Sequence, residues 1–291
     1  MSSPHIDVAW LIDMDPPSEL SGDRGFFPAS ESDLPPDEKL LARRSDAVLD
    51  VMRKAGVPAF VTVHTSPRYR RTFLDAPYVD VWKSFQDAGA ALVLHPHEER
   101  ADGSTFYDDL PHVEHVIRST SGLAAEKGLT FKAFRSGAFS FNPALPQVLV
   151  EAGIVVDLFA APGLKNPKRN IDWPEDFSKP DTFIESGVPL LEIPLGWDGS
   201  ESDLSANYLY NETMDYASLV RIWQTIVTAA KRSEQPPIIN FLCHGFGLVR
   251  PDMAEQALSF IRYMKSEGGH LIGLDDVPRL AARYPQAKPT R

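Results

Sequence analysis

Apolar positions in this chain gather into short unbroken runs, and each run is followed by a stretch with helical spacing. VAWLI, AALVL, FKAF and IINFL show the pattern. Runs of this length without polar alternation are what strands buried on both faces require. They predict strands at 7–13, 58–64, 90–95, 131–135, 154–159, 189–194, 238–243 and 270–274. The intervening periodicity predicts helices at 37–55, 77–88, 111–127, 142–152, 216–233, 251–267 and 278–284. Gly56, Gly89, Gly128, Gly153 and Gly268 close five of these helices, as a left-handed C-terminal cap demands. Asn142-Pro143 and Arg250-Pro251 put proline where a helix can begin.

Strand–helix alternation from end to end implies an α/β fold with a parallel sheet covered on both faces. Seven or eight such units fit a closed or nearly closed barrel. An open doubly wound sheet is the alternative, but the Gly-rich phosphate loop expected after its first strand is absent, and aspartates stand there instead. The 291 residues suit one barrel domain spanning 1–291. Three long connections, 16–36, 160–188 and 195–215, would lie on the rim formed by the strand C-termini, where loops build substrate sites.

Composition narrows the partners. Forty acidic against 29 basic residues give a net charge of −11, and no basic stripe interrupts them, which argues against nucleic acid and anionic membrane surfaces. No apolar run approaches the ~20 residues of a membrane span, and the first residues lack the pattern of a signal peptide. The expectation is a soluble, cytoplasmic protein. The one cysteine, Cys243, lies inside an apolar strand and reads as a small buried residue that forms no intrachain disulfide.

Four polar clusters sit where predicted strands end: Asp13-Met14-Asp15, His95-Pro96-His97-Glu98-Glu99, Arg135-Ser136-Gly137 and Leu242-Cys243-His244. A parallel barrel gathers them on one rim. Residues i and i+2 of a strand share a side, so Asp13 and Asp15 can both face the cavity. Their repulsion is relieved by a cation or a proton. A metal on one leaves the other free as a base. His95 and His97 share that spacing and, with Asp15, make a two-histidine, one-aspartate site with positions open for water and substrate. Glu99 is a rival ligand. Arg135 would keep Asp13 ionised and aimed, and His244 would give a proton to a leaving group. His112 and His115 have possible metal spacing but no third ligand. His64 ends the second strand with its role open, and His5 and His270 show nothing.

In this order, the clusters resemble those of the polysaccharide deacetylase superfamily, the NodB-homology or carbohydrate esterase family 4 group. The similarity spans Asp13 to about Leu274 and is most specific in FRSGAFSFNPALPQVLVEAGIVVD, from Phe134 to Asp157. The chain departs from the family in reading Asp-x-Asp for Asp-Asp, His-x-His for His-x-x-x-His, and Arg-Ser-Gly where a proline is usual. The resemblance implies an irregular (β/α)7 TIM-like barrel. It also implies Asp13 as base, Arg135 as the residue that orients it, and His244 as acid. Asp15, His95 and His97 would hold a divalent metal, zinc by expectation. The expected activity is removal of an acyl group, N-acetyl above all, from a small or oligosaccharide amino-sugar substrate by metal-activated water. A cyclic-amide hydrolase similar to the allantoinases of this superfamily, possible without metal, and a non-catalytic sugar-binding barrel are the alternatives. Trp197 and Tyr208 are expected to stack on a sugar ring.

Overall fold

The computed structural model describes residues 5–14, 38–67, 69–173, 175, 182–185, 188–201, 203–233 and 237–283. In chain order the elements are β1 (Ile6–Asp13), α1 (Glu38–Ala55), β2 (Phe60–His64), α2 (Arg70–Phe73), α3 (Tyr78–Asp87), β3 (Ala91–His95), α4 (Leu110–Glu126), β4 (Ala133–Phe134), α5 (Leu145–Glu151) and β5 (Val156–Asp157). There follow β6 (Lys165–Asn166), β7 (Ile171–Asp172), β8 (Thr182–Glu185), β9 (Val188–Glu192), α6 (Tyr216–Ala230), β10 (Ile238–His244), α7 (Gly245–Leu248), α8 (Pro251–Ser266), β11 (Gly269–Ile272) and α9 (Val277–Arg283).

Every predicted strand and helix is present, with ends moved by no more than three residues. The five predicted glycine caps all have positive φ. New to the structure are the one-turn helices α2 and α7, the two-stranded ribbon β6–β7, and β8, which pairs antiparallel with β9.

The main sheet runs β10-β1-β2-β3-β4-β5-β9-β8, parallel throughout except for β8. β1 is its centre. It pairs with β10 over Asp7–Asp13, with β11 over Ile6–Ala9 and with β2 over Leu11–Ile12. Beyond β9 the chain reaches β10, since Asn240 N donates to Pro194 O (2.7 Å) and Gly196 N to Asn240 O (2.9 Å). The seven parallel strands thus curl into an irregular (β/α)7 barrel.

All eight residues of β1 are buried, as are all of β2 and β10, which is why their sequences run apolar without alternation. The helices bury one stripe each. In α6 that stripe is Leu219, Ile222, Trp223, Ile226, Val227 and Ala230, at helical spacing. Asp215 caps it by accepting from Ser218 N at 2.7 Å. Each large apolar side chain removed from water in this way contributes roughly 1.5–3 kcal/mol against the entropy of ordering. No helix among the described residues is long and apolar enough to cross a membrane.

Register fixes what the rim presents. Asp13 lies beside His244 across β1 and β10, and His64 beside His95 across β2 and β3. Paired residues of parallel strands face the same side, so all four point into the barrel mouth.

Candidate active site

Asp13, only 2% exposed, is the hub. Its Oδ1 accepts from Thr62 Oγ1 at 2.8 Å and lies 3.3 Å from His95 Nε2. Its Oδ2 accepts from Arg135 Nε at 3.1 Å and lies 3.7 Å from His244 Nε2. Thr62 is itself fixed by accepting from Met14 N at 2.8 Å. Burial alone would push the Asp13 carboxyl up. The neighbouring His95, Arg135, His244 and His97 outweigh it and hold the group well below the usual carboxylate range.

The imidazoles form the second feature. His64, His95 and His97 are buried, and one ring nitrogen of each lies within 4.8 Å of the others. His95 Nδ1 is 2.8 Å from Arg135 O, which can only accept, so Nδ1 carries the proton and Nε2 a lone pair. His97 Nδ1 meets Glu99 Oε1 at 3.1 Å in the same sense. The two Nε2 atoms then face each other at 2.9 Å, lone pair to lone pair, beside a carboxylate oxygen. That arrangement calls for a shared proton or a cation. Burial, then the charges of His97 and Arg135, bring His95 down to about 3 against the pull of Asp13. His64 is likewise pushed well below its usual value, by burial first and then by His97 and His95. Its Nδ1 is buried and has no hydrogen-bond partner among the described residues. Three buried imidazoles, two of them, His64 and His95, held below their usual pKa, and His95 and His97 each backed by an acceptor, are the donor set a divalent metal takes, so the residues fit such an ion.

Opposite them stands His244. Its backbone N donates to Glu212 Oε1 at 2.8 Å, and its Nδ1 lies 3.3 Å from Glu212 Oε2. A carboxylate behind Nδ1 keeps the proton there and turns Nε2 toward Asp13 and the Tyr210 hydroxyl, 3.5 Å away. A Cβ on Gly247 would collide with Glu212, so only glycine lets this carboxylate approach.

Arg135 is aimed by its own loop. Ala138 and Phe139 have φ of 54° and 60°, a left-handed pair that non-glycine residues adopt at a cost. The pair brings the Phe139 ring beneath the Arg135 guanidinium at 4.5 Å. Trp173 Nε1 locks the turn by donating to Phe139 O at 2.9 Å.

Asp13, His95, His97, Arg135 and His244 line one cavity of about 180 Å³. Of the predicted site residues, those five come together; Asp15 lies outside the described residues, as does the loop 16–36. Glu99 sits behind His97, bonded to its Nδ1. Burial would raise the Glu99 carboxyl, but the bond and charge of His97, then Arg169 and His95, bring it down to about 2.

Sequence reasoning left His64 without a role and did not single out Glu212. The signal for His64 was present: FVTVH and ALVLH are neighbouring strands that end alike. Glu212 carries no such signal in its irregular loop. Trp197 and Tyr208 do not line the cavity. Tyr208 is fully buried, with Trp197 stacked on it at 6.3 Å, and Tyr210 and Phe139 are the aromatic walls instead. His112 binds Glu98 Oε2 at 2.7 Å, away from the imidazole group. Burial first, then Glu212, pushes the Cys243 thiol well up, as expected of an inert core residue.

No protein-family model and no curated protein matches this chain. Solved structures do. A Mycobacterium smegmatis protein assigned to the polysaccharide deacetylases superposes with a TM-score of 0.66 at 15% identity, covering 100% of this chain and 95% of its own. The chain has the polysaccharide deacetylase fold. A Pseudomonas aeruginosa protein assigned to the same group gives 0.58 at 14% identity, covering 95% and 91%. The allantoinase PuuE gives 0.60 at 15% identity, covering 95% and 90%. At 14–15% identity these likenesses speak for the fold, which many different sequences can fill when patterning and core volume are kept.

Proposed function

We propose that this protein is a metal-dependent hydrolase of carbon–nitrogen bonds that removes an acyl group, N-acetyl above all, from an amino-sugar substrate. One observation carries the reading: the ionised Asp13 carboxylate, held by Arg135, shares a cavity with His95 and His97 of the buried imidazole cluster on one side and a carboxylate-backed histidine on the other.

In this reading His64, His95 and His97 hold the metal, with Asp15 as the further ligand expected from the sequence. Zinc is the expected ion, although imidazole–carboxylate sets accept several. A bound divalent ion supplies Lewis-acid polarisation of a carbonyl oxygen and acidifies water. Asp13 Oδ2, the oxygen nearer His244, takes the proton of the attacking water. Arg135 keeps Asp13 ionised and fixes its plane. His244 Nε2 delivers a proton to the departing nitrogen, and Glu212 stabilises the imidazolium.

Mass spectrometry of protein purified without a metal-binding tag should find about one metal per chain, reduced in His64→Ala and His97→Ala. Asp13→Asn should keep its metal while losing roughly 10²–10⁴-fold in kcat on N-acetyl amino sugars. Near-normal turnover by Asp13→Asn would remove Asp13 as the base. Full metal occupancy in His64→Ala would remove His64 as a ligand.

A further inference from the structure

Among its described lining residues the cavity carries three fixed cations, Arg135, Lys165 and Arg169, against one carboxylate, in a chain whose net charge is −11. Lys165 and Arg169 both line it. Among the described residues of that lining Asp13 is the one carboxylate, and Arg135 is paired with it. Lys165 is loosely paired, 3.9 Å from Asp172 with both side chains exposed, a contact worth little. Arg169 is half-buried, and its guanidinium makes no hydrogen bond or ion pair among the described residues. It acts on Glu99 only through its field.

The segment that carries these cations is firmly held. Thr105 Oγ1 donates to Arg169 O at 3.1 Å, and the Asn170 amide donates to Thr105 O and Oγ1 at 3.2 and 3.0 Å. Phe141 N donates to Asn170 O at 2.8 Å, and Trp173 N to Leu164 O at 2.9 Å. Around the cations the wall is apolar, with Leu164, Ile171 and Leu204. Fixed charge beside low-dielectric walls focuses the field into the opening. A guanidinium with its donors free is suited to a planar or tetrahedral oxyanion.

We propose that the substrate carries an oxyanion, carboxylate or phosphate, on the sugar that bears its scissile bond, and that Arg169, assisted by Lys165, recognises it. This rests on the hydrolase reading above and narrows its substrate to acidic amino sugars.

The test is calorimetric binding of three probes to the metal-loaded protein: N-acetylglucosamine, its 6-phosphate and N-acetylmuramic acid. At least one charged sugar should bind about tenfold more tightly than the neutral one. The preference should fall with added NaCl and collapse to within twofold in Arg169→Gln. Lys165→Gln should reduce it about threefold. Preference for the 6-phosphate alone, or for the muramic acid alone, identifies the oxyanion. Equal affinities in the wild type would overturn the proposal. So would an Arg169→Gln variant that weakens all three sugars alike, because Arg169 would then act through Glu99 and His97. Release of amine from the same sugars is scored separately. Preference without turnover sinks the hydrolase reading and keeps the anion site. Turnover of all three without preference does the reverse.

Discussion

Asp13 meets four different partners on two oxygens, and the segments that follow the strands around it are packed to atomic tolerance. Gly137 shows how tightly. A Cβ placed on it would lie 2.8 Å from His97 Cγ and 2.9 Å from His97 Cα, distances that real Cβ atoms do not tolerate. Gly137→Ala must therefore push the His97 ring from its place opposite His95, with the fold otherwise intact. The expected result is a 10- to 100-fold loss of metal affinity, the range seen when the support of a ligand is disturbed, with unchanged circular dichroism. Unchanged affinity in a competition titration with a chelator would show that His97 is not a ligand. At this scale the sequence was partly legible. Asp13, His95, His97, Arg135 and His244 each follow an apolar run and could be read. His64 follows one too, but its meaning depends on the strand beside it. Glu212 depends wholly on the tertiary path of the 195–215 loop, which leaves no periodic trace.

Among the elements, β1 carries a buried carboxylate at each end, and the two ends have opposite tasks. Asp13 faces the site, while Asp7, fully buried at the other end, binds elements together. Arg283 Nη1 donates to Asp7 Oδ2 at 2.8 Å, Arg279 lies 3.6 Å from Oδ1, and His5 and His270 reach Oδ1 at 3.0 and 3.2 Å. The histidines that looked silent in the sequence thus join the start of β1 to β11, and the arginines join it to α9. Asp7→Ala should destabilise by about 1–3 kcal/mol, below the cost of stranding a fully buried charge, because both arginines are part exposed and can turn to water. Urea unfolding at constant slope measures it, and a change under about 0.5 kcal/mol would make the cluster decorative. Long strands and helices were legible because burial on both faces, or on one stripe, writes a period into the sequence. β4 and β5 shrink to two paired residues, and β6 and β7 are too short to hold a period at all.

For the whole molecule, the barrel separates chemistry at the strand C-termini from stability elsewhere, but one buried pair crosses that division. Asp157 on β5 and Glu192 on β9 are register partners, 1% and 3% exposed. Asp157 Oδ1 accepts from Phe159 N at 3.3 Å, and its Oδ2 has no hydrogen-bond partner among the described residues. Burial pushes its carboxyl well above the usual value, against the backbone bonds of Phe159 and Leu158 and the charge of Arg135. The native state then holds a proton that the unfolded chain releases above pH ~4. Stability therefore declines as pH rises from ~4 toward the raised native value, and below pH ~4 the group has no effect. Asp157→Asn keeps the shape and needs no proton. It should leave stability near pH 4 unchanged and raise it at pH 7.5, where the wild type loses stability to the proton that Asp157 must hold. The profile between those pH values should flatten. Thermal unfolding of both proteins across that range decides the matter. A variant weaker than the wild type by the same amount at both ends would mean that Asp157 is ionised in the fold.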